Sequence, residues 1–139
     1  MNSIDPPKFT YFRLTVKTKI HTTESLDRLE AAIRNVVKHV TTNVEKQGSL
    51  VGTSERIDSI SIIYEQVRAR QSISVLRRML MNNLRGRTTS FLLNKQAAAA
   101  GKVALIDNEG ESPLGGIRIS IQCDVIQQVI DWLACAVRK

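Results

Sequence analysis

The sequence predicts an α+β protein, a mostly antiparallel sheet of four to five strands with helices packed on one face. Three observations lead there. Residues 9–20 and 116–122 alternate apolar and polar side chains with period two, as half-buried strands do. Residues 26–40, 57–84 and 125–133 instead repeat apolar side chains at spacings of three and four, as amphipathic helices do. The resulting order is strand, helix, strand, two helices, two or three strands, helix. A length of 139 residues is enough for one domain with a sizeable core. Residues 1–8 read as an N-terminal arm ending in Pro6-Pro7, and residues 9–139 as a single α+β domain. Aromatic residues make up only 4% of the chain, so the core must come from Ile, Val, Leu and Ala.

In the first strand Phe12, Leu14, Val16, Thr18 and Ile20 share one face, and Arg13, Thr15, Lys17 and Lys19 form a solvated basic face. A helix of about 16–18 residues follows, with Thr23 as its N-cap and Leu26, Leu29, Ile33, Val36, Val37 and Val40 as its inner stripe. Thr41, Thr42 and Val44 favour a strand near 42–47, with a turn at Gln47-Gly48 and a short extended piece at 49–52. Ser54-Glu55 reads as the next helix start. The stripe of Ile57, Ile60, Ile63, Tyr64 and Val67 is out of phase with Ile73, Leu76, Met79, Leu80 and Leu84. At 100° per residue the two cannot lie on one straight helix, so a break is expected near Arg70-Gln71-Ser72, with Ser72 as the second N-cap. Gly86 reads as the stop of that second helix. Residues 87–93 read as a strand, 94–100 as a turn or a single helical turn, and 101–106 as another strand. Ile117, Ile119 and Ile121 point inward on the next strand and Arg118, Ser120 and Gln122 outward. A last helix from about Asp124 to Val137 has Asp124 as its cap.

Charge is unevenly distributed. The net charge is +7, yet Gln66 to Ile106 contains eight Arg or Lys residues and no Asp or Glu, so the remainder of the chain is slightly acidic. Such a stretch points to a polyanion, nucleic acid first. Projected on the axis of the second helix, Arg70, Arg77, Arg78 and Arg85 fall within about a 100° arc beside the apolar stripe. With Arg87 and Lys95 just beyond, these six are the candidate RNA-binding residues. Guanidinium groups suit phosphate because they bind it bidentately, and duplex RNA is contacted largely through phosphates and 2′-hydroxyls. The Asn94–Gly101 segment itself reads as a packing turn whose small residues let two elements approach.

No enzyme motif stands out. Neither histidine, His21 or His39, has a second ligand at metal spacing, and the Asp107–Glu111 loop lacks a calcium-loop pattern. No catalytic residue, metal or cofactor is therefore expected. Cys123 and Cys135 have no zinc spacing and read as two buried thiols, with a disulfide between them as the alternative. No basic leader or apolar run of about 20 residues is present, so a cytoplasmic location without membrane contact is expected.

Thr88-Thr89-Ser90-Phe91-Leu92-Leu93-Asn94-Lys95-Gln96-Ala97-Ala98, followed by Gly101-Lys102-Val103, resembles an archaeal family of small uncharacterised proteins described as predicted RNA-binding. Ser112-Pro113-Leu114-Gly115-Gly116-Ile117 and Ile130-Asp131-Trp132-Leu133-Ala134 resemble its other marks. The resemblance implies an α+β fold similar to the ribosomal protein that binds 5S RNA in the large subunit, and to double-stranded-RNA-binding domains. The combined expectation is non-catalytic binding of structured RNA, duplex or ribosomal, through the arginine-rich helix, in RNA processing or ribosome-related assembly. The alternative is a homodimeric protein-interaction module without nucleic-acid contact.

Overall fold

The structure is a computed structural model that describes residues 5–111 and 114–135. Strand β1 (Phe12–Lys19) alternates as its sequence requires, with Phe12, Leu14, Val16 and Thr18 buried and Arg13, Lys17 and Lys19 exposed. Helix α1 (Leu26–Val36) follows, then β2 (Thr41–Val44) and β3 (Ser49–Ser54). A short 3-10 turn (Ile57–Ile60) leads into α2 (Ser61–Ala69) and α3 (Ile73–Asn82). The chain continues through β4 (Thr88–Asn94), α4 (Lys95–Ala99), β5 (Leu105–Ile106), a second 3-10 turn (Glu109–Glu111), β6 (Gly116–Cys123) and α5 (Ile126–Leu133). All described strand pairs are antiparallel, in the order β2-β3-β1-β6-β4-β5. The sheet has six strands rather than four to five, because both extended pieces between α1 and α2 are full members.

The sheet buries mainly one face, although Leu92 and Ile106 at the β4–β5 edge are buried on the other. Val16 stands opposite Gly52 and Ile119, and Leu14 opposite Ser54 and Ile121, so the inner residues of neighbouring strands stack in rows. Those rows meet Ile33, Leu76, Leu80 and Ile130 from the helices in one hydrophobic cluster. A one-residue slip would turn the apolar set outward and bring Arg13, Lys17 and Lys19 into the core, which fixes the register.

Several boundaries differ from the sequence expectation. The first helix ends at Val36 instead of reaching Val40. Val37 is extended yet fully buried, and His39 has a φ of 60°. Burial at helical spacing continued past the helix because the extended chain still faces the core. Its N-cap is Ser25, whose Oγ accepts from the Arg28 amide, and not Thr23. Ser54 ends β3 rather than opening a helix; its hydroxyl bonds to Ser59 and accepts from the Arg56 amide at 3.1 Å. A cap-forming serine at a strand end thus looked like a helix start. The break at Arg70-Gln71-Ser72 is present, with Gln71 at a φ of 56° and Ser72 at the N-cap position of α3. The Ser72 hydroxyl makes no capping bond and donates to the Arg70 carbonyl at 3.3 Å. Gly86 does not stop α3, which ends at Asn82; it takes its φ of 60° in the turn where Arg85 and Thr88 exchange backbone bonds. The 101–106 strand shrinks to two residues. Gln66 holds the chain before it, donating to the Gly101 carbonyl at 3.1 Å and accepting from the Val103 amide at 2.7 Å.

Asp124 does not cap α5, whose N-cap position is Val125. Its carboxylate instead accepts from the backbone amides of Thr10 and Tyr11 at 3.0–3.1 Å, tying the start of β1 to the end of β6. Partial desolvation pushes this carboxyl up, but the Tyr11 and Thr10 amide bonds outweigh it and hold the pKa below the usual aspartate value. A lowered carboxyl pKa contributes stability above the unfolded value, and the contribution is lost as pH falls through the folded one. Accordingly, Asp124→Ala should accelerate hydrogen exchange at the Thr10 and Tyr11 amides. Acidification of the wild type below the aspartate range should do the same, and unchanged exchange in the variant would exclude the tie.

Candidate nucleic-acid interface

The six candidate residues do not form one patch. Arg77 donates through Nη1 to Asp131 at 2.9 Å and to the Ala134 carbonyl at 2.9 Å, on and just after α5. Arg78, its neighbour, turns instead to Asp107 at 3.1 Å, beyond β5. Arg85 folds back on the end of its own helix, donating to the carbonyls of Asn82 and Leu84. Arg70 and Arg87 are exposed and have no side-chain partner among the described residues.

Lys95 is buried, its side chain 4% exposed, and its ammonium donates to the Lys19 carbonyl at 2.8 Å and to Glu24 at 3.2 Å. Glu24 also accepts from the His21 amide at 2.9 Å. The Asn94-Lys95-Gln96-Ala97-Ala98 word is therefore built for packing. Asn94 caps α4 through the Ala97 amide, and Ala98 lies fully buried against α1, where Asn35 donates to its carbonyl at 2.9 Å. A lysine in this position stabilises the junction of β1, α1 and α4 and does not present its charge to solvent.

Arg68, not among the six, is also structural. Its guanidinium lies 3.5 Å over the Tyr64 ring and donates to the carbonyls of Trp132 and Leu133 at 2.9–3.0 Å. Arg68 and Arg77 together satisfy carbonyls at the C-terminus of α5, where a helix leaves acceptors unpaired and its dipole favours cations. Among the described residues no cluster of His, Cys, Asp and Glu could hold a metal, and no helix is long and apolar enough to cross a membrane. Cys123 is buried, which pushes its thiol pKa up, whereas Cys135 is exposed; both are free, so the expectation of two buried thiols holds for one.

The open face of the sheet presents a different set of charges. None of the six strands contains Asp or Glu. Their charged residues are Arg13, Lys17, Lys19 and Arg118, all exposed and all on the face opposite the helices. Lys17 and Arg118 are direct register partners, and Arg13 lies opposite Gln122. Thr15, Ser120 and Ser90 form a hydroxyl row between them. The alternation of β1 and β6 had already put each residue on an outer face. The pairing that joins the two faces is between strands at opposite ends of the chain, and period-two patterning says nothing about it.

These features define a small basic α+β protein built on a single six-stranded antiparallel sheet. The chain belongs to the archaeal UPF0201 proteins, and the family model that matches it, over residues 13–123, carries the description RNA binding. A UPF0201 protein of Sulfurisphaera tokodaii is 34% identical over 124 residues, which cover 87% of this chain and 86% of that one. One from Aeropyrum pernix is 35% identical over 126 residues, covering 88% and 84%. The crystal structure of a UPF0201 protein from Methanococcus jannaschii shares the fold with a TM-score of 0.79 at 26% identity, covering 91% of this chain and 95% of its own.

Removing one partner of a buried ion pair leaves the other uncompensated, at a cost of about 3 kcal/mol. Lys95→Met should therefore lower stability by about that amount in urea unfolding, while the folded variant keeps whatever RNA affinity the wild type has. A variant of normal stability with weakened RNA binding would return Lys95 to the interface.

Proposed function

We propose that this protein is a non-catalytic binder of structured RNA that docks duplex backbone on the open face of its sheet. The observation that carries this reading is the segregation of charge on the strands: four cations, no acids, one face. Hydroxyl and amide side chains at Thr15, Ser90, Ser120 and Gln122 lie among the cations and suit hydrogen bonding to phosphate and 2′-hydroxyl oxygens. Arg13 and Lys17 contact Glu55 and Glu45 at 3.7 and 3.5 Å, in pairs that remain widely exposed. Exposed pairs of this kind are worth about 1 kcal/mol or less, so a phosphate can displace them.

Single-strand binders usually stack bases on aromatic residues across a sheet. Here Phe12 and Phe91 both point into the core, and no aromatic residue lies on the outer face of the described strands. That favours recognition of backbone and shape over base stacking. Arg70, Arg78 and Arg87 stay exposed and can add contacts outside the sheet, but Arg77 and Lys95 are engaged internally.

Binding to a nucleic-acid backbone releases condensed counterions, so each cation withdrawn from a phosphate should flatten the salt dependence by about one unit. Arg13→Ala/Lys17→Ala should thus weaken binding of a short RNA duplex and reduce the log–log salt slope by about two. Arg70→Ala/Arg87→Ala should have a smaller effect. Equal weakening by both double substitutions would extend the interface to the helices. A wild-type protein that ignores duplex RNA at low salt and sediments as a dimer would favour the protein-interaction reading instead.

A further inference from the structure

At the end of the open face where β1 finishes and β6 begins, a groove of about 760 Å³ opens between Lys17, Lys19, Ser49, Arg118, Glu109 and Gly116. Lys17 and Arg118 stand directly opposite one another across the β1–β6 pair. Like charges held opposite in a sheet are mutually destabilising, and this pair cannot move apart, because the adjacent Val16–Ile119 pair is locked in the core on the other side. Arg118 has one long bond, to Ser90 Oγ at 3.3 Å, and Lys19 has no side-chain partner among the described residues. Lys17 has only the long, exposed contact to Glu45 at 3.5 Å, so the groove concentrates positive charge that the fold neutralises weakly.

One anion is already seated there. Glu109 Oε1 accepts from the Gly116 amide at 2.8 Å. The Gly116 carbonyl accepts from the buried Thr18 hydroxyl at 3.0 Å, which holds the start of β6 against β1. Gly115, at a φ of 83°, lets the chain turn against the carboxylate; a Cβ there would stand 3.0 Å from Glu109 Oε1. An oxyanion on a backbone amide beside three cations is also the arrangement that receives a phosphate oxygen.

We propose that this groove is a phosphate-binding site, with the Gly116 amide and the Lys17, Lys19 and Arg118 side chains as its donors and Glu109 as an internal competitor for the amide. Its volume admits a whole nucleotide around the phosphate. The phosphate can come from an RNA backbone, a source that rests on the function proposed above, or from a free nucleotide.

The test follows the Gly116 amide of the full-length ¹⁵N-labelled protein during separate titrations with inorganic phosphate, AMP and a short RNA duplex. The amide should shift and saturate with inorganic phosphate. Glu109→Gln, which keeps the side-chain shape, should tighten that binding about fivefold by removing the competing charge. Arg118→Gln should weaken it about tenfold. A larger response to the duplex than to AMP identifies the backbone as the source, and the reverse identifies a free nucleotide. The inference is overturned if Gly116 is unmoved by all three probes, or if its shift persists unchanged in a folded Lys17→Ala/Arg118→Gln protein. Duplex binding that Arg13→Ala weakens, without any response at Gly116, would remove the groove and leave the RNA reading standing. A phosphate response in a protein that does not bind duplex RNA would do the opposite.

Discussion

The pairing of β1 with β6 is the constraint on which the rest of this molecule depends. Its inner side joins Leu14 to Ile121 and Val16 to Ile119, all fully buried, at the centre of the sheet. Each such side chain contributes about 1.5–3 kcal/mol through burial, so the register has no competitive alternative. Because strand side chains alternate strictly, the same register decides the outer face. Arg13 falls beside Gln122 and Lys17 beside Arg118. The cationic face is thus held in place by an apolar core on the other side of the same strands, and its like-charge cost is borne by that core.

The helix arginines follow a different logic. The acid-free stretch from Gln66 to Ile106 passes alongside the end of α5 and through the end of α3. Both ends expose carbonyls and the negative pole of a helix dipole. Arg68 and Arg77 meet the first, and Arg85 meets the second. Cations placed there are stabilising and acids would be repelled, so the composition that resembles a nucleic-acid footprint is in part helix capping. The charges that remain uncommitted in this stretch, at Arg70, Arg87 and Lys102, are fewer than the sequence count suggests.

Local signals were legible where one period ran unbroken. The alternation of β1 and β6, the inner stripe of α3 and the break at Gln71 all follow from side-chain spacing and need no tertiary information. They misled where burial and conformation part company. Val37 is buried but extended, Ser54 caps a turn from a strand, and residues 101–103 are held by Gln66 and the Ala97 and Ala98 carbonyls instead of a strand neighbour. Capping assignments failed at Asp124 for a related reason. A carboxylate can serve any nearby amide, and the amides of Thr10 and Tyr11 arrive from the far end of the chain.

The sequence by itself determined that this is an α+β protein, which residues of β1 and β6 face the core, and that its charge is positive and locally concentrated. Those properties depend on periodicity and composition, which are local. Only the tertiary structure decided which cations are free. Lys95 and Arg77 were consumed by Glu24, Asp131 and backbone carbonyls distant in sequence, while Lys17 and Arg118, from opposite ends of the chain, became neighbours. A charge is available to a partner only if its own fold leaves it exposed and at most weakly paired, and that depends on contacts the chain makes after it folds.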